Sequence, residues 1–507
     1  MRLEIGEVFT KIINADVDTI HAIDEECSYL LENWEFAKQE MIRKAQISNN
    51  LSRLQYANDW DGRIRLMKGA SFPTGLLKRV LERLEIEGVS GVEIMDRRQR
   101  PVPVGQSLKM TSNFQERDYQ TSAINIAFKQ TRGVIKAPTG AGKTVIGTAL
   151  IAKAHVPTLI IVNKQVLMEQ WQRAILDFID IPFMKGQSRE GYVGTVQGRN
   201  VNPSVFTIAM AQTLQGWLRK DPNQFKSFMK IHPTGWQMLI EDEVHGVGAE
   251  GRYELNLHIP SFYRYGFSAT PFDRADANLR VEAAIGPTVY EIESSDLIEQ
   301  GHIVRPKIKF HPVDSMYFGP WNKYMDIYRD GIVHNTKRNK KIIDIAINAA
   351  LKGKKVLVFV NFIRHGEILQ GLLNERTVMH VDGRPGAEGT FIHAGSEHRE
   401  MALKEFKSAN GTIDILIAID KLIGEGFDYR GIDVIIIADG GKSSIETIQK
   451  VGRGTRTFTG KTHVEIHDFV DRALYLYDHA RARIATWRNP VLGYEVDLSE
   501  VPYINKE

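Results

Sequence analysis

Between Phe114 and about Pro306 the chain alternates short apolar, β-branched runs with longer stretches whose apolar residues recur at helical spacing. The runs are Val134-Ile135, Leu159 to Val162, Phe206 to Ile208 and Met238 to Ile240. Short continuous runs of this kind suit strands buried on both faces, and the helical stretches between them are what parallel neighbours need for reconnection. A second block with the same rhythm begins near Asn339, with runs at Val356 to Val360, Ile415 to Ile417 and Val434 to Ile437. The pattern predicts an α/β protein with two helix-covered parallel sheets in tandem. Residues 1 to about 98 read differently: charged, with helical and short strand-like patterns, as in a small α/β accessory domain. Arg98 to Gly105 is Pro-rich and aperiodic, which predicts a linker. The expected boundaries are an accessory domain over 1–105, a first sheet domain over 106–306, an aromatic, irregular connection over 307–338, and a second sheet domain with a C-terminal helix over 339–507. No internal repeat or low-complexity tract is visible.

At 507 residues the chain exceeds what one core usually organises. Its 43% hydrophobic and 25% charged residues are those of an ordinary globular protein. A net charge of +3 is too small to argue for nucleic acid, so a basic surface would have to come from local clustering. The single cysteine, Cys27, excludes an internal disulfide and a cysteine-based zinc cluster, and reads as an inert thiol in a reducing compartment. No apolar run approaches a membrane span, and Arg2, Glu4 and Glu7 interrupt the N-terminus, so neither membrane nor signal peptide is expected.

The chemistry concentrates after Val134-Ile135, at Ala137-Pro138-Thr139-Gly140-Ala141-Gly142-Lys143-Thr144. A strand, a glycine loop and then an amphipathic stretch from Val145 to Ile151 form the context of a phosphate loop. Glycines turn backbone N–H groups toward a β-phosphate, and the following helix points its positive end there. Lys143 would neutralise phosphates, and Thr144 would place a hydroxyl on Mg²⁺. Ala137 stands where the first glycine of the strict pattern usually is. Met238 to Ile240 runs into Glu241-Asp242-Glu243-Val244-His245. Asp242 would hold the metal, largely through water, and Glu243 would orient and deprotonate an attacking water. Ahead of the loop, the Gln120 amide could pair with adenine, with Tyr119 or Arg117 stacking on its ring. In the second block, Gln449 opens a segment in which Arg453 and Arg456, three apart, are expected to share one helical face and reach a γ-phosphate. Gly440-Gly441-Lys442-Ser443 also ends in Gly-Lys-Ser. It has no acidic strand end to pair with, so it reads as a loop and not as a second nucleotide site.

In this order, the APTGAGKT loop, Asp242-Glu243-Val244-His245, Ser268-Ala269-Thr270 and the Gln449 to Arg456 segment resemble the superfamily 2 helicases. The resemblance implies two RecA-like α/β domains that sandwich ATP with Mg²⁺. It implies a coupling role for His245, Ser268, Thr270 and Gln449, and puts Gly426 and Asp428 at the nucleotide. Lys164 with Gln170-Trp171, and Gln212-Thr213, resemble strand-contacting segments. Asp420 departs from the small hydroxyl residue many relatives carry. Asn58 to Leu66, with Phe72-Pro73 and Gly75-Leu76, resembles the accessory domain of UvsW-type phage recombination helicases, which act on forks, D-loops and Holliday junctions. That likeness implies a host-cytoplasmic, phage-encoded protein whose partner is branched DNA. Arg63 and Arg65 would bind phosphates, and Trp60 would either stack on a base or pack in a core. The aromatic residues Tyr317 to Tyr328 read as pins of a connecting segment, and Tyr475 to Arg488 as a basic helix, DNA-bound or solvated. An RNA helicase of the same architecture, and a nucleotide-gated DNA-binding protein without turnover, remain rival readings.

Overall fold

The computed structural model describes residues 1–105, 108–115, 117–181, 189–271, 275–319, 322–377, 388–393, 396, 398–408, 411–419 and 429–505. The chain divides into two compact units: Met1–Ala137 with Gly142–Glu291, and Pro138–Ala141 with Ile292–Glu507.

The first unit is built on an eight-stranded sheet. Its order is Asn200–Asn202, Val193–Gln197, Phe206–Met210, Thr158–Val162, Met238–Asp242, Tyr263–Ser268, Arg132–Lys136 and Thr288–Glu291. Every pairing is parallel except that of Asn200–Asn202 at the edge. The four apolar runs are all strands. Tyr263–Ser268 is a central strand that carries no apolar run, because Arg264 sits in it fully buried. Its guanidinium donates to the carbonyls of Ala284 (2.8 Å), Ile259 and Asn256 (2.9 Å), which supply what burial takes from it.

The N-terminal region forms a four-stranded sheet in the order Ser71–Pro73, Phe9–Ile13, Arg2–Ile5 and Glu93–Asp96, covered by helices Val17–Glu26 and Leu77–Ile86. Its core is not its own. Leu3, Ile12, Ile23, Phe72, Leu76 and Val80 share one buried cluster with Val134, Val244, Leu279, Val281 and Ile285 of the larger sheet's layer. At the seam the turn Thr74–Leu76 meets helix Ala275–Ala284 so closely that a Cβ on Gly75 would stand 2.0 Å from the Glu282 carbonyl oxygen. Arg79 bridges Glu26 at 2.7 Å and Glu282 at 3.3 Å across the same seam. The aperiodic segment after Arg98 is stitched down as well: Val102 N–H donates to Gln237 Oε1 (2.9 Å) and Val104 N–H to the His155 carbonyl (2.8 Å). Cys27 lies buried in the shared core, its thiol pushed up to about 12 by burial and by Glu26 and Asp24.

The second unit carries a seven-stranded, wholly parallel sheet in the order Glu388–Ile392, Ile413–Ile419, Val356–Val360, Val434–Ile437, His463–Asp471, Arg305–Val313 and Glu495–Asp497. Residues 307–313, expected in the connection, belong to this sheet. Lys307 and Lys309 alternate with Ile308 and Phe310, a half-buried strand pattern rather than an apolar run. Buried ion pairs lie in its interior, among them Arg338–Asp471 (2.7 Å), Arg483–Asp468 (2.8 Å) and Lys450–Asp439. Tyr328 is buried and donates to the Asp439 carbonyl (2.5 Å), so it does pin the connecting segment, whereas Tyr317 is exposed. Trp321 lies outside the described residues. Helix Leu476–Trp487, expected to be solvated or DNA-bound, instead packs on the sheet through Leu476, Ala480, Ile484 and Trp487.

Candidate nucleotide site and DNA-facing segments

In the first unit the strand Arg132–Lys136 runs parallel to Tyr263–Ser268, which in turn pairs with Met238–Asp242. All three therefore end at the same sheet edge, and the loops leaving them are neighbours there. Ala137 N–H donates to the Ser268 carbonyl at 2.9 Å, tying the start of the glycine loop to that edge. Gly140 and Gly142 have φ of 91° and 80°, which a side chain would strain. Gly142 caps helix Lys143–Ala154, and a Cβ on it would stand 2.6 Å from Gln120 Nε2. The absent side chain thus lets the Gln120 amide lie against the loop. Tyr119 and Gln120 are buried in helix Asp118–Gln130, and Arg117 donates to the Tyr119 hydroxyl at 3.0 Å. Ala141 is buried, and Thr139 and Gly140 are half-buried.

Lys143 Nζ reaches Glu243 Oε1 at 3.4 Å, joining the loop lysine to the acidic strand end. Glu243 holds a left-handed backbone, φ 51°, which turns it off the strand axis. Ser268 Oγ donates to Glu243 Oε2 at 3.2 Å, and His245 Nδ1 lies 3.4 Å from the same oxygen and 3.3 Å from Ser268 Oγ. Thr270 N–H donates to Ser268 Oγ at 3.1 Å. Glu243, His245, Ser268 and Thr270 are thus one connected network.

Asp242 accepts from the Trp171 indole N–H at 2.8 Å and from Glu243 N–H at 3.1 Å. Burial, with the Glu243 carboxylate alongside, holds its carboxyl above the usual carboxylate range. Burial opposes ionisation of Glu243 too, but the Lys143 ammonium and His245 outweigh it and hold that carboxyl below the usual range. The pair is therefore differentiated: Glu243 has its counter-charge, while Asp242 lacks a full one. A buried carboxylate short of positive charge, on the sheet edge that carries the Thr144 hydroxyl, fits a divalent cation such as Mg²⁺. Gln170 Nε2 donates to Thr144 Oγ1 at 3.1 Å.

Gln170 and Trp171, expected to contact a nucleic-acid strand, are instead bonded to Thr144 and Asp242. Trp171 is fully buried and has no face for a base. The third carboxylate, Glu241, is structural. It is buried in the strand, accepts from Arg252 Nε (3.0 Å) and from Asn256 (2.6 Å), and anchors helix Glu250–Leu257. No residue pattern around Trp171 announced its bond to Asp242; only the sheet order brings them together.

Lys164, Gln212 and Thr213 follow the adjacent strands Thr158–Val162 and Phe206–Met210. Gln212 Nε2 donates to the Asn163 carbonyl (3.3 Å), which brings the two segments together, and Thr213 Oγ1 accepts from Gly198 N–H (2.9 Å) of the neighbouring hairpin turn. The N-terminal candidates are placed differently. Trp60 is buried at 8% exposure, and its indole donates to the Arg63 carbonyl at 2.8 Å, so it packs rather than stacks on a base. Arg65 is paired with Asp61 (2.5 Å) and Asp24 (2.9 Å), and Arg63 donates to Ser28 Oγ (3.1 Å).

In the second unit, helix Ser444–Gly452 ends before both arginines. Arg453 is its C-cap, and Arg456 bridges Ile303 in extended backbone, so they do not share a helical face as expected. Gly454, which ends the turn, packs against Val464 and leaves no room for a further helical side chain. Arg453 is buried, and burial pulls Arg456 below the usual guanidinium value. Gln449 is half-buried on the helix. Ser443 caps that helix, its Oγ accepting from Glu446 N–H (3.3 Å), so Gly440 to Ser443 forms a strand-to-helix loop. Asp420, Gly426 and Asp428 lie outside the described residues, as do 272–274 after the Ser268 segment.

Residues 113–273 match the type III restriction enzyme res-subunit family, and residues 337–458 match the helicase conserved C-terminal domain. The chain belongs to the superfamily 2 helicases. Its two parallel sheets are the tandem RecA-like domains of that family. The chain is 22% identical over 454 residues to the ATP-dependent DNA helicase uvsW of Enterobacteria phage T4, covering 83% of each. It is 26% identical over 375 residues to the DNA 3'-5' translocase XPB2 of Sulfurisphaera tokodaii, covering 66% of this chain and 77% of that one. It is 24% identical to the putative helicase 22 of a Sulfolobus islandicus filamentous virus, and spans 64% of that relative's length. A fragment of a putative HsdR subunit of a type I restriction enzyme from Vibrio vulnificus shares the fold, with a TM-score of 0.53 at 19% identity over 75% of this chain and 67% of that one. Among the described residues no helix is long and apolar enough to cross a membrane.

Proposed function

We propose that this helicase is an ATP-driven DNA translocase that remodels branched DNA, moving 3′ to 5′. The observation that carries the reading is the Lys143–Glu243–Ser268–His245 network beside the charge-deficient Asp242. Lys143, now on Glu243, turns to the β- and γ-phosphates when nucleotide binds. That exchange frees the Glu243 carboxylate to take a proton from the attacking water. Ser268 and His245 hold the carboxylate in place and feel the change in its charge, which gives hydrolysis a physical route to Thr270. Asp242 and Thr144 would hold Mg²⁺, which supplies charge neutralisation at the phosphates. We assign Gln120, Tyr119 and Arg117 to the base, the glycine loop from Thr139 to Gly142 to the phosphates, and Arg453 and Arg456 to the charge developing on the γ-phosphate.

Lys164, Gln212 and Thr213 are the proposed strand contacts, mostly to backbone, so binding should fall steeply with salt and discriminate little between sequences. The DNA preference and direction rest on the relatives' printed activities, and the branched preference on the N-terminal likeness to the phage helicase. The test is phosphate release and strand displacement on labelled forks, Holliday junctions, linear duplex and RNA. Stimulation by RNA equal to that by DNA, or equal action on forks and linear duplex, would sink the reading.

A further inference from the structure

Residues 34–59 form a hairpin of two helices, Trp34–Ile47 and Leu51–Asp59, inserted between the short strands Ser28–Leu30 and Arg63–Arg65. The first helix is roughly 20 Å long at 1.5 Å per residue. Its base is anchored: a Cβ on Gly62 would stand 2.4 Å from the Trp34 ring, and Lys38 Nζ donates to the Trp60 carbonyl at 2.8 Å. Away from the base the helices pack on each other through Ala45 and Ala57, which are buried, and neither adds a side chain to the core shared with the first sheet. Residues 46–53 are exposed throughout.

The distal part is unusual in two ways. Over residues 41–57 there are three cations, Arg43, Lys44 and Arg53, and no carboxylate; Glu40, just before them, pairs with Lys44 at 2.9 Å and lies 4.0 Å from Arg43, which leaves the hairpin's far end net positive. At the apex, Ile47 ends one helix at 74% exposure and Leu51 begins the next at 77%. The turn between them, residues 48–50, is Ser-Asn-Asn, with Asn50 capping the second helix through Arg53 N–H (3.0 Å). A face built to bind a protein helix presents a stripe of apolar positions along its length. Here Phe36 and Tyr56 are exposed nearer the base, but Met41, Ile42 and Leu54 between them and the apex are turned partly inward, so the stripe is broken and the apolar exposure at the apex itself is Ile47 with Leu51. An apolar point between cations is the form of a wedge that enters a base step while neighbouring charges hold phosphates.

We propose that the hairpin tip is the element that engages DNA at a branch point, with Ile47 and Leu51 against the unstacked bases and Arg43 and Arg53 on the flanking phosphates. The inference rests on the branched-DNA reading above and names the residues that would give it selectivity. Neither aliphatic residue supports the fold, so both can be changed without unfolding the chain. Serine is the replacement of choice because aspartate would repel DNA of any shape.

The experiment compares the full chain with its Ile47→Ser/Leu51→Ser double variant. It measures affinity for a fork and for linear duplex, fluorescence of 2-aminopurine placed at the branch, melting, and DNA-free ATPase. The parent should brighten the probe and prefer the fork. The variant should keep its melting and basal ATPase, lose the brightening, and bind the fork about tenfold more weakly with duplex affinity unchanged. Arg53→Gln should weaken both substrates alike and reduce the salt slope by about 1. A parent that prefers forks, with a double variant that prefers and brightens them equally, overturns the inference alone and leaves the apex as a protein-binding point. Equal losses on fork and duplex also overturn it. A parent without fork preference removes the branched-DNA reading and the inference together.

Discussion

Trp171→Phe isolates the most specific claim about the nucleotide site, that an indole N–H keeps Asp242 ionisable in a buried place. The indole is fully buried, donates to Asp242 Oδ2 at 2.8 Å, and tilts on Phe267 with ring centroids 6.4 Å apart. Gly147 leaves no slack beside it: a Cβ there would stand 2.4 Å from the six-membered ring. Phenylalanine keeps most of that packing and removes the donor. A hydrogen bond to a charged group contributes about 1.5–3 kcal/mol, and 1.36 kcal/mol corresponds to one pKa unit. Asp242, already held above its ordinary value by burial and Glu243, should therefore rise by about one to two further units. The sign follows from linkage. A carboxyl whose folded value is raised loses stability as pH climbs from its ordinary value up to that folded value, and the variant's extra cost accrues between the parent's folded value and its own; the variant should therefore be less stable than the parent at neutral pH, and the two should converge in acid. If Asp242 must be ionised for turnover, the acid limb of the phosphate-release profile should move to higher pH by the same one to two units. The assay is DNA-stimulated phosphate release across about pH 5 to 9, with melting followed in parallel. A variant that loses stability equally at every pH and leaves the acid limb in place would show the indole to be packing alone.

Glu243→Gln should lower hydrolysis by about 10²-fold or more while ATP still binds, whereas Lys143→Ala should lose nucleotide binding itself; isothermal titration with ATP beside phosphate release separates them. Arg456→Ala should abolish turnover with melting retained, since the residue is only half-buried. Burial and neighbouring His311 pull His467 down to about 4, and burial and Arg338 pull His365 down to about 3. Their stabilising share is complete above about pH 6.5 and is lost as pH falls through those values, so His467→Asn should flatten the acid slope of urea-unfolding stability. Deleting residues 1–105 would uncover Val134, Leu279, Val281 and Ile285, so the truncated chain should aggregate or melt well below the parent; an unchanged melting midpoint would contradict the shared core.

What could be read without coordinates was whatever announces itself locally. Val134-Ile135, Leu159 to Val162 and Met238 to Ile240 are strands because apolar runs of that length have few other homes, and the glycines of the loop take the positive φ that the motif requires. The failures share a cause. Tyr263–Ser268 and Arg305–Val313 were hidden because a buried arginine and alternating lysines break the apolar run, and only carbonyl acceptors or a solvent-facing side make those residues tolerable in strands. The sequence leaves Trp60 open between stacking on a base and packing in a core and makes Trp171 resemble a strand contact, because a tryptophan's surroundings are long-range: each one's partner is set by chain folding, not spacing. The arginine pair does not share a helical face because the helix ends at Gly452, before both arginines, where Gly454 packs against Val464.

The seam between the N-terminal module and the first sheet has a mechanical consequence. The acidic strand end passes from Glu243 directly into the turn Val244–Gly248, and Gly248 lies where a Cβ would stand 2.6 Å from the Ala277 Cβ of helix Ala275–Ala284. That same helix begins five positions after Thr270 in the sequence. The helix's other side receives the Gly75 turn and the Arg79–Glu282 bridge. The turn that follows Glu243 therefore rests on this helix, and so does the module that carries the hairpin. Contiguity of this sort does not by itself transmit energy. It does fix what can move: interiors packed this closely do not deform continuously, so a shift of Ala275–Ala284 must carry the module with it or open a cavity at the seam. A hairpin at a DNA branch would then be held by the same body that binds the phosphates. Branch recognition would bias the Glu243 network through this helix and through Val244, which packs in the same shared core, and Gly75 and Gly248 are two positions where a methyl group would disturb the helix from both sides.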